Sequence, residues 1–130
     1  MRVAAVQFDM RAVARDAEFF ARCAYFVEAA AGYGVDVLLF PELFTNPLIP
    51  HVGKPATIRS FAEATPKLLE VFTRLATTHQ VDLIVGSHLT WYEGRLLNIA
   101  HLVRRDGSIA RQAKLHITPS EAGSWAVEGG

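Results

Sequence analysis

The strongest constraint on the fold is an apolar segment that ends in a proline and a glutamate. Residues 37–40 (VLLF) are apolar without interruption, which is typical of a buried strand. Pro41 cannot donate to a sheet ladder, so it marks the strand end, and Glu42 follows at once. Active sites of open α/β sheets lie beyond the carboxyl ends of their strands. We therefore expect Glu42 to be desolvated and suited to accept a proton, although a surface glutamate in a loop fits the same residues.

The residues before this segment predict a strand–helix–strand unit. Residues 3–8 form a short apolar run, and residues 17–31 place apolar side chains at helical spacing before the glycines of residues 32–34. Residues 35–40 then give a second strand. Short connections in this order predict two parallel strands joined by a right-handed crossover.

The rest of the sequence predicts more elements of the same α/β fold. A helix is expected from Thr65 to about His79, a third strand over residues 81–87, and a turn over residues 91–94. Two further strands, over residues 96–103 and 108–114, flank a hairpin turn at Asp106-Gly107. The predicted fold class is therefore α/β, a mixed β-sheet with flanking helices on one face or both.

A long connection follows Glu42 and is a candidate cover for a pocket. Residues 43–56 are rich in turn residues, and a loop of this length is more often functional than without a function. Phe44 and His51 are candidate pocket residues, with packing or surface roles as the alternative.

Composition narrows the class of protein. The chain has 130 residues, of which 51% are hydrophobic and 20% charged, so we expect one domain over residues 1–130 with a true core. The 13 basic residues balance the 13 acidic ones, which argues against nucleic acid or a membrane surface as partner. One cysteine precludes an internal disulfide, and no apolar run approaches the ~20 residues of a membrane helix. We expect a soluble, cytoplasmic protein.

Three residues remain as candidates for catalysis once complete motifs are excluded. The chain has no nucleophile elbow, phosphate loop or dinucleotide fingerprint, and its histidines lack metal-ligand spacing. Cys23 lies on the apolar stripe of the first helix, which favours a core role over a reactive thiol. Glu42, Lys114 and Glu121 all lie near the ends of predicted strands: Glu42 follows the second, Lys114 closes the fifth, and Glu121 comes seven positions later. A lysine between two carboxylates stays protonated and can stabilise an oxyanion, whereas Lys114 taken alone fits an ordinary surface lysine.

Four segments resemble one known family. Residues 40–44 (FPELF) resemble the first signature of the nitrilase, or carbon–nitrogen hydrolase, superfamily, and residues 114–121 (KLHITPSE) resemble its second. Residues 3–7 (VAAVQ) and 97–100 (LNIA) are similar to it as well, so the resemblance covers essentially the whole chain in order. The second segment looks closest to the branch sometimes attached to an acetyltransferase-like domain.

The resemblance implies a fold, a reaction and roles for the three residues. The chain would be the N-terminal portion of an α-β-β-α sandwich that hydrolyses nonpeptide carbon–nitrogen bonds of a small-molecule amide or nitrile, without a cofactor or metal. Glu42 would be the general base, Lys114 would stabilise the tetrahedral intermediate, and Glu121 would be the second carboxylate that orients the site.

The family's fourth catalytic residue, a nucleophilic cysteine, is expected outside these residues. It follows the second signature in the family, whereas Cys23 precedes Glu42 and Gly130 lies only nine positions after Glu121. We therefore expect the thiol on a missing C-terminal half or a companion chain, and no activity from these residues alone. A non-catalytic half-domain with a structural or interaction role is the alternative. Half a sandwich would also expose apolar sheet surface, so we expect a homo-oligomer or a poorly soluble chain.

Overall fold

The computed structural model describes residues 1–9, 15–48 and 62–130. Their regular elements, in chain order, are β1 (Val3–Ala5), α1 (Asp16–Gly32), β2 (Val37–Leu39), a 3₁₀ turn (Asn46–Leu48), α2 (Thr65–His79), β3 (Asp82–Tyr92), β4 (Arg95–Val103), β5 (Ile109–Ala113) and α3 (Pro119–Trp125).

The five strands form one mixed sheet in the order β1-β2-β3-β4-β5. β1, β2 and β3 are parallel, with Val37 opposite Val3 on one side and Asp82 on the other. β3–β4 and β4–β5 are antiparallel. The predicted α/β class and mixed sheet are confirmed, and the parallel strands carry the predicted crossover helix between them.

Helices α1 and α2 contact each other and pack on the same face of the sheet. The core beneath them contains apolar side chains from both helices and the central strands, among them Phe19, Val27, Leu38, Leu68, Phe72, Leu83 and Val85. Phe44 joins this core, with its ring 5.0 Å from that of Phe40. Phe44 is fully buried, so its packing role is the correct alternative. His51 lies outside the described residues.

A close contact between β3 and the end of β2 fixes the position of Glu42. A Cβ atom on Gly86 would lie 1.8 Å from the Pro41 carbonyl oxygen, so only glycine lets the two backbones approach this closely. The ladder between β3 and β4 shifts register between Val85 and His88, as at a β-bulge. Within that irregularity, the Ser87 hydroxyl accepts a 2.9 Å hydrogen bond from the Leu43 amide.

The turn predicted over residues 91–94 is shorter than expected. Trp91 and Tyr92 are the last residues of β3, where they pair with Leu96 and Arg95. Only two residues remain for the connection, Glu93 (φ 51°) and Gly94 (φ 76°). A two-residue hairpin of this left-handed geometry lets both strands extend further than the aromatic pair suggested.

The last described residues return to the sheet beside Lys114. The Glu128 amide donates to the Leu96 carbonyl at 2.9 Å, and the Gly130 amide donates to the Lys114 carbonyl at 3.0 Å. A Cβ atom on Gly130 would lie 2.5 Å from the Ala113 Cβ, so the backbone is tightly packed there. Among the described helices, none is long and apolar enough to cross a membrane.

Candidate active site

The fold brings Glu42, Lys114 and Glu121 into direct contact. Lys114 Nζ lies 2.7 Å from Glu42 Oε1 and 3.0 Å from Glu121 Oε2. Glu42 follows β2, Lys114 follows β5, and Glu121 lies in the first turn of α3. The three candidates chosen from the sequence thus form a single Glu–Lys–Glu cluster.

A capping box holds Glu121 in place. The Glu121 amide donates to the Thr118 hydroxyl at 3.2 Å, and the Thr118 amide donates back to Glu121 Oε2 at 2.8 Å. The Thr118 hydroxyl also donates to Glu121 Oε2, at 2.9 Å. Pro119 follows at the start of α3, where its missing N–H does no harm. The sequence Thr118-Pro119-Ser120-Glu121 therefore both starts the helix and orients the carboxylate.

Glu121 is buried yet remains ionised. Burial raises the pKa of its carboxyl group, but hydrogen bonds from the Thr118 backbone, Asn98, Lys114 and the Thr118 hydroxyl together lower the pKa to about 2. Its residue is only 3% exposed. Glu121 is therefore a permanent anion at neutral pH and is not suited to take up a proton.

Lys114 remains a cation because the two carboxylates accept hydrogen bonds from its ammonium group. Hydrogen bonds to Glu42 and then Glu121 raise the pKa of its ammonium group. Its side chain is 28% exposed. The contacts with the two carboxylates use two of the three N–H groups of the ammonium.

Glu42 is more open than the sequence predicted. Its side chain is 56% exposed, so the expectation of a desolvated carboxylate was wrong for the described structure. The apolar residues around Glu42 in the sequence point elsewhere, because Phe40 and Phe44 turn into the core on the helix side. The carboxylate is left at the mouth of the site.

Asn98 is a site residue that the sequence prediction missed. Its Nδ2 donates to Glu121 Oε1 at 2.9 Å and to Glu42 Oε1 at 3.2 Å. The residue is 1% exposed, on β4. A signal was present, because Asn98 is the only polar residue of the family-like segment LNIA and interrupts a predicted buried strand.

A cavity of about 420 Å³ extends from this cluster along the sheet. Its lining includes the polar residues Glu42, Asn98 and Lys114. Its apolar lining includes Leu39, Ile84 and Ala100. These apolar side chains lie on the sheet face opposite α1 and α2, since they alternate with core residues along their strands.

Cys23 is not part of the cluster. It is completely buried on α1 against the sheet, as the sequence predicted for a core residue. Burial raises the pKa of its thiol, so it stays protonated and inert. Within the described ranges, no group of three or more His, Cys, Asp or Glu side chains is arranged to hold a metal ion.

The sheet, the helices and the cluster of charged side chains near the strand ends define an α/β protein with one candidate site among the described residues. The family model for carbon-nitrogen hydrolases matches residues 2–128. The chain belongs to the carbon–nitrogen hydrolase family.

One curated relative covers the whole chain. It is the "Probable hydrolase YhcX" of Bacillus subtilis (strain 168), 35% identical over 133 residues, an alignment that covers 100% of this chain and 26% of the relative. The chain thus spans about a quarter of that relative's length.

Solved structures share the fold at low sequence identity. A carbon-nitrogen hydrolase from Helicobacter pylori G27 superposes with a TM-score of 0.79 at 22% identity, over 98% of this chain and 44% of that one. An amidase from Nesterenkonia sp. gives 0.78 at 20% identity, over 100% and 49%. Saccharomyces cerevisiae Nit3, a member of branch 10 of the nitrilase superfamily, gives 0.75 at 18% identity, over 98% and 48%. The chain therefore corresponds to slightly less than half of each.

Proposed function

We propose that this chain supplies part of the active site of an enzyme that hydrolyses nonpeptide carbon–nitrogen bonds in small amides or nitriles. The observation that carries the proposal is the Lys114 ammonium held between Glu42 and Glu121 at 2.7 and 3.0 Å. A fixed cation beside a partly solvated carboxylate provides both an oxyanion stabiliser and a base. Family membership and the amidase among the structural neighbours support the same reaction class.

For an amide, the proposed mechanism uses a thiol that attacks the carbonyl carbon. Glu42 accepts the thiol proton as the sulfur–carbon bond forms, and the negative oxygen of the tetrahedral intermediate faces the Lys114 ammonium. Glu42 then gives the proton to the nitrogen as the carbon–nitrogen bond breaks, releasing the amine. Water, deprotonated by Glu42, then attacks the thioester to form a second tetrahedral intermediate. As the carbon–sulfur bond of this intermediate breaks, Glu42 returns the proton to the sulfur and the acid is released. Glu121 stays ionised and orients Lys114.

The thiol is proposed to come from polypeptide outside these residues. In a variant of the Nesterenkonia amidase, the acetamide moiety of fluoroacetamide is added covalently at the active-site cysteine. In this chain Cys23 is buried with a raised pKa, so it cannot take that role. A continuing C-terminal segment and a companion chain are both consistent with the proposal, and an attached acetyltransferase-like domain, a homo-oligomer and a cytoplasmic location stay predictions.

A non-catalytic half-domain is the second candidate function. The burial of Cys23 favours it, because a site without an accessible thiol cannot form the covalent intermediate. In that case the cluster would serve only to stabilise the fold around α3.

The test compares the 130-residue chain with and without its complement. The complement is any in-frame sequence beyond Gly130 or a companion gene that contains a cysteine after a strand. Ammonia release from acetamide, acrylamide and acetonitrile is expected only in the complemented protein. The Glu42→Gln substitution should abolish the release, and Cys23→Ala should leave it unchanged. Hydrolysis by the isolated chain would contradict the external thiol, and a complemented protein without activity would support the half-domain.

A further inference from the structure

We propose that Asn98 is a positioning residue that holds Glu42 and Glu121 together and leaves Oε2 of Glu42 as the oxygen that exchanges the proton. This inference rests on the proposed function, because it assigns the reacting atom of the proposed base. It concerns a residue that the candidate mechanism does not otherwise use.

The first support is the double use of the Asn98 amide. Its Nδ2 donates to Glu121 Oε1 at 2.9 Å and to Glu42 Oε1 at 3.2 Å. A primary amide nitrogen carries two hydrogens, so each carboxylate receives one of them. Two like charges that would otherwise repel are thus joined through one neutral donor, in parallel with the charged connection through Lys114.

The second support is the unequal use of the two Glu42 oxygens. Oε1 accepts from both Lys114 Nζ, at 2.7 Å, and Asn98 Nδ2, at 3.2 Å. Two donors occupy the lone pairs of this oxygen and make it a poor proton acceptor. Proton exchange with the thiol and the leaving amine is therefore directed to Oε2.

The third support is the rigid setting of Asn98. The residue is 1% exposed, and its backbone carbonyl accepts a 2.8 Å hydrogen bond from the Lys114 amide. One residue thus connects the lysine backbone and both carboxylates. Turning the amide over would point Oδ1 at two anions, so the carboxylates select the observed orientation. Oδ1 itself is buried without a hydrogen-bond partner among the described residues, as expected if the donor side determines the placement.

Double-mutant cycles for folding test whether Asn98 connects Glu42 and Glu121, and they do not require catalysis. Asn98→Ala is combined with Glu42→Ala and, separately, with Glu121→Ala. Urea unfolding of every variant is followed at the same series of protein concentrations, so that any contribution from self-association is separated from the folding equilibrium. Non-additivity is expected in both cycles. In the cycle with Glu121, the fall in the folding equilibrium constant caused by Asn98→Ala should be about ten-fold smaller in the Glu121→Ala background than in the unmodified chain. Asn98→Ser serves as a second variant if Asn98→Ala does not fold.

The control is a neighbouring residue on the same strand. Ile99 is equally buried but lies on the opposite face of the sheet. Ile99→Val should lower stability additively with both carboxylate substitutions. Additive behaviour of Asn98→Ala as well would make Asn98 a packing residue and overturn the proposal.

Kinetics of the complemented enzyme provide the readout for positioning. Asn98→Ala should lower kcat about 10- to 100-fold with little change in KM, because a displaced base weakens the transition state more than substrate binding. Asn98→Asp should be at least as impaired, since it replaces the donor with a third carboxylate. Unchanged kcat in Asn98→Ala would overturn the proposal. If no complemented protein hydrolyses an amide, the proposed function fails. The folding cycles still decide whether Asn98 connects the two carboxylates.

Discussion

Lys114 carries the positive charge on which the proposed chemistry depends. Lys114→Met keeps most of the aliphatic side chain and removes the ammonium group. We expect a loss of about 10²–10³ in kcat of the complemented enzyme, the usual effect of removing one oxyanion stabiliser. The measurement is steady-state amide hydrolysis.

Lys67→Met is the matched control for this substitution. Lys67 is exposed on α2 and takes no part in the cluster, so its loss removes the same charge without touching the site. Equal losses in both variants would mean that net charge, rather than the position of Lys114, matters. Lys114→Arg should also be impaired, because a planar guanidinium cannot reproduce the geometry of an ammonium between two carboxylates.

The buried carboxylate of Glu121 makes stability depend on acid. Its pKa is about 2 in the folded protein, against an ordinary value of 4.5, so the unfolded state binds the proton more readily. Glu121 thus contributes stability that is present above pH 4.5 and is lost as the pH falls toward 2. Glu121→Gln should flatten the dependence of the free energy of unfolding on pH in this window, measured by urea unfolding.

Two histidines act at higher pH and provide an internal check. Burial lowers the pKa of His88 and of His101 from 6.5 to about 4. The stability that the two neutral imidazoles contribute is therefore lost as the pH falls from 6.5 to about 4. Glu121→Gln should leave this upper part of the curve unchanged. A change confined to pH 4–6.5 would show that the shift had been assigned to the wrong group.

At the residue scale, the sequence predicted which charged residues form the cluster better than it predicted their exposure and hydrogen-bond partners. Glu42, Lys114 and Glu121 were chosen because all three lie near the ends of predicted strands, and the structure brings them together. The exposure of Glu42 was not predictable, since it depends on which way the chain turns after Pro41. Asn98 stands out locally as a polar residue in an apolar strand, but its role was missed because its partners Glu42 and Glu121 lie 56 and 23 positions away in the sequence.

Among the secondary-structure elements, the contact between β2 and β3 is the least tolerant of change. Gly86→Ala would place a methyl group 1.8 Å from the Pro41 carbonyl oxygen, so the end of β2 would have to move. We expect destabilisation by several kcal/mol, as for other overpacked sites, and displacement of Glu42. Urea unfolding measures the first effect and amide hydrolysis by the complemented enzyme the second.

Gly32→Ala tests whether the effect belongs to the contact or to glycine in general. Gly32 is the last residue of α1, and a Cβ atom there meets nothing within 4 Å. This substitution should be neutral or slightly stabilising. A loss of stability as large as that of Gly86→Ala would contradict the steric argument.

The start of α3 should depend on the Thr118 hydroxyl. Thr118→Ala removes the acceptor of the Glu121 amide and one donor to the Glu121 carboxylate. We expect a loss of about 1 kcal/mol from the cap itself. Thr118→Ser retains the hydroxyl and should recover most of that loss. If serine and alanine behave alike in urea unfolding, the cap contributes nothing.

The elements were more predictable than their ends. Periodicity placed α2 at residues 65–79, where the structure has it, because its apolar face is regular. β3 extends past its predicted end at Ser87 because the register shift near Gly86 and Ser87 interrupts alternation without ending the strand. A bulge resembles a strand end when only the sequence is read.

For the whole molecule, the prediction of self-association depends on the open face of the sheet. Leu39 is 38% exposed on the side away from the helices, beside Ile84 and Ala100. We expect the isolated chain to self-associate, because apolar surface of this kind favours association. Sedimentation velocity from 1 to 100 µM should show mass increasing with concentration.

Leu39→Lys offers a direct check of which surface associates. It adds a charge to the open face without entering the core on the helix side. The variant should shift toward monomer, whereas Glu93→Lys, in the hairpin turn, should not. A sharp monomer over the whole concentration range for the unmodified chain would contradict the prediction.

The position of Gly130 has a practical consequence for protein production. Its amide donates to the carbonyl of Lys114 at 3.0 Å. A segment fused directly after Gly130 would therefore begin beside the backbone of the cluster lysine. Met1, by contrast, is 97% exposed at the far end of the chain. A purification tag or fluorescent label should therefore be attached at Met1, and a tag placed directly after Gly130 should be regarded as a change to the site itself.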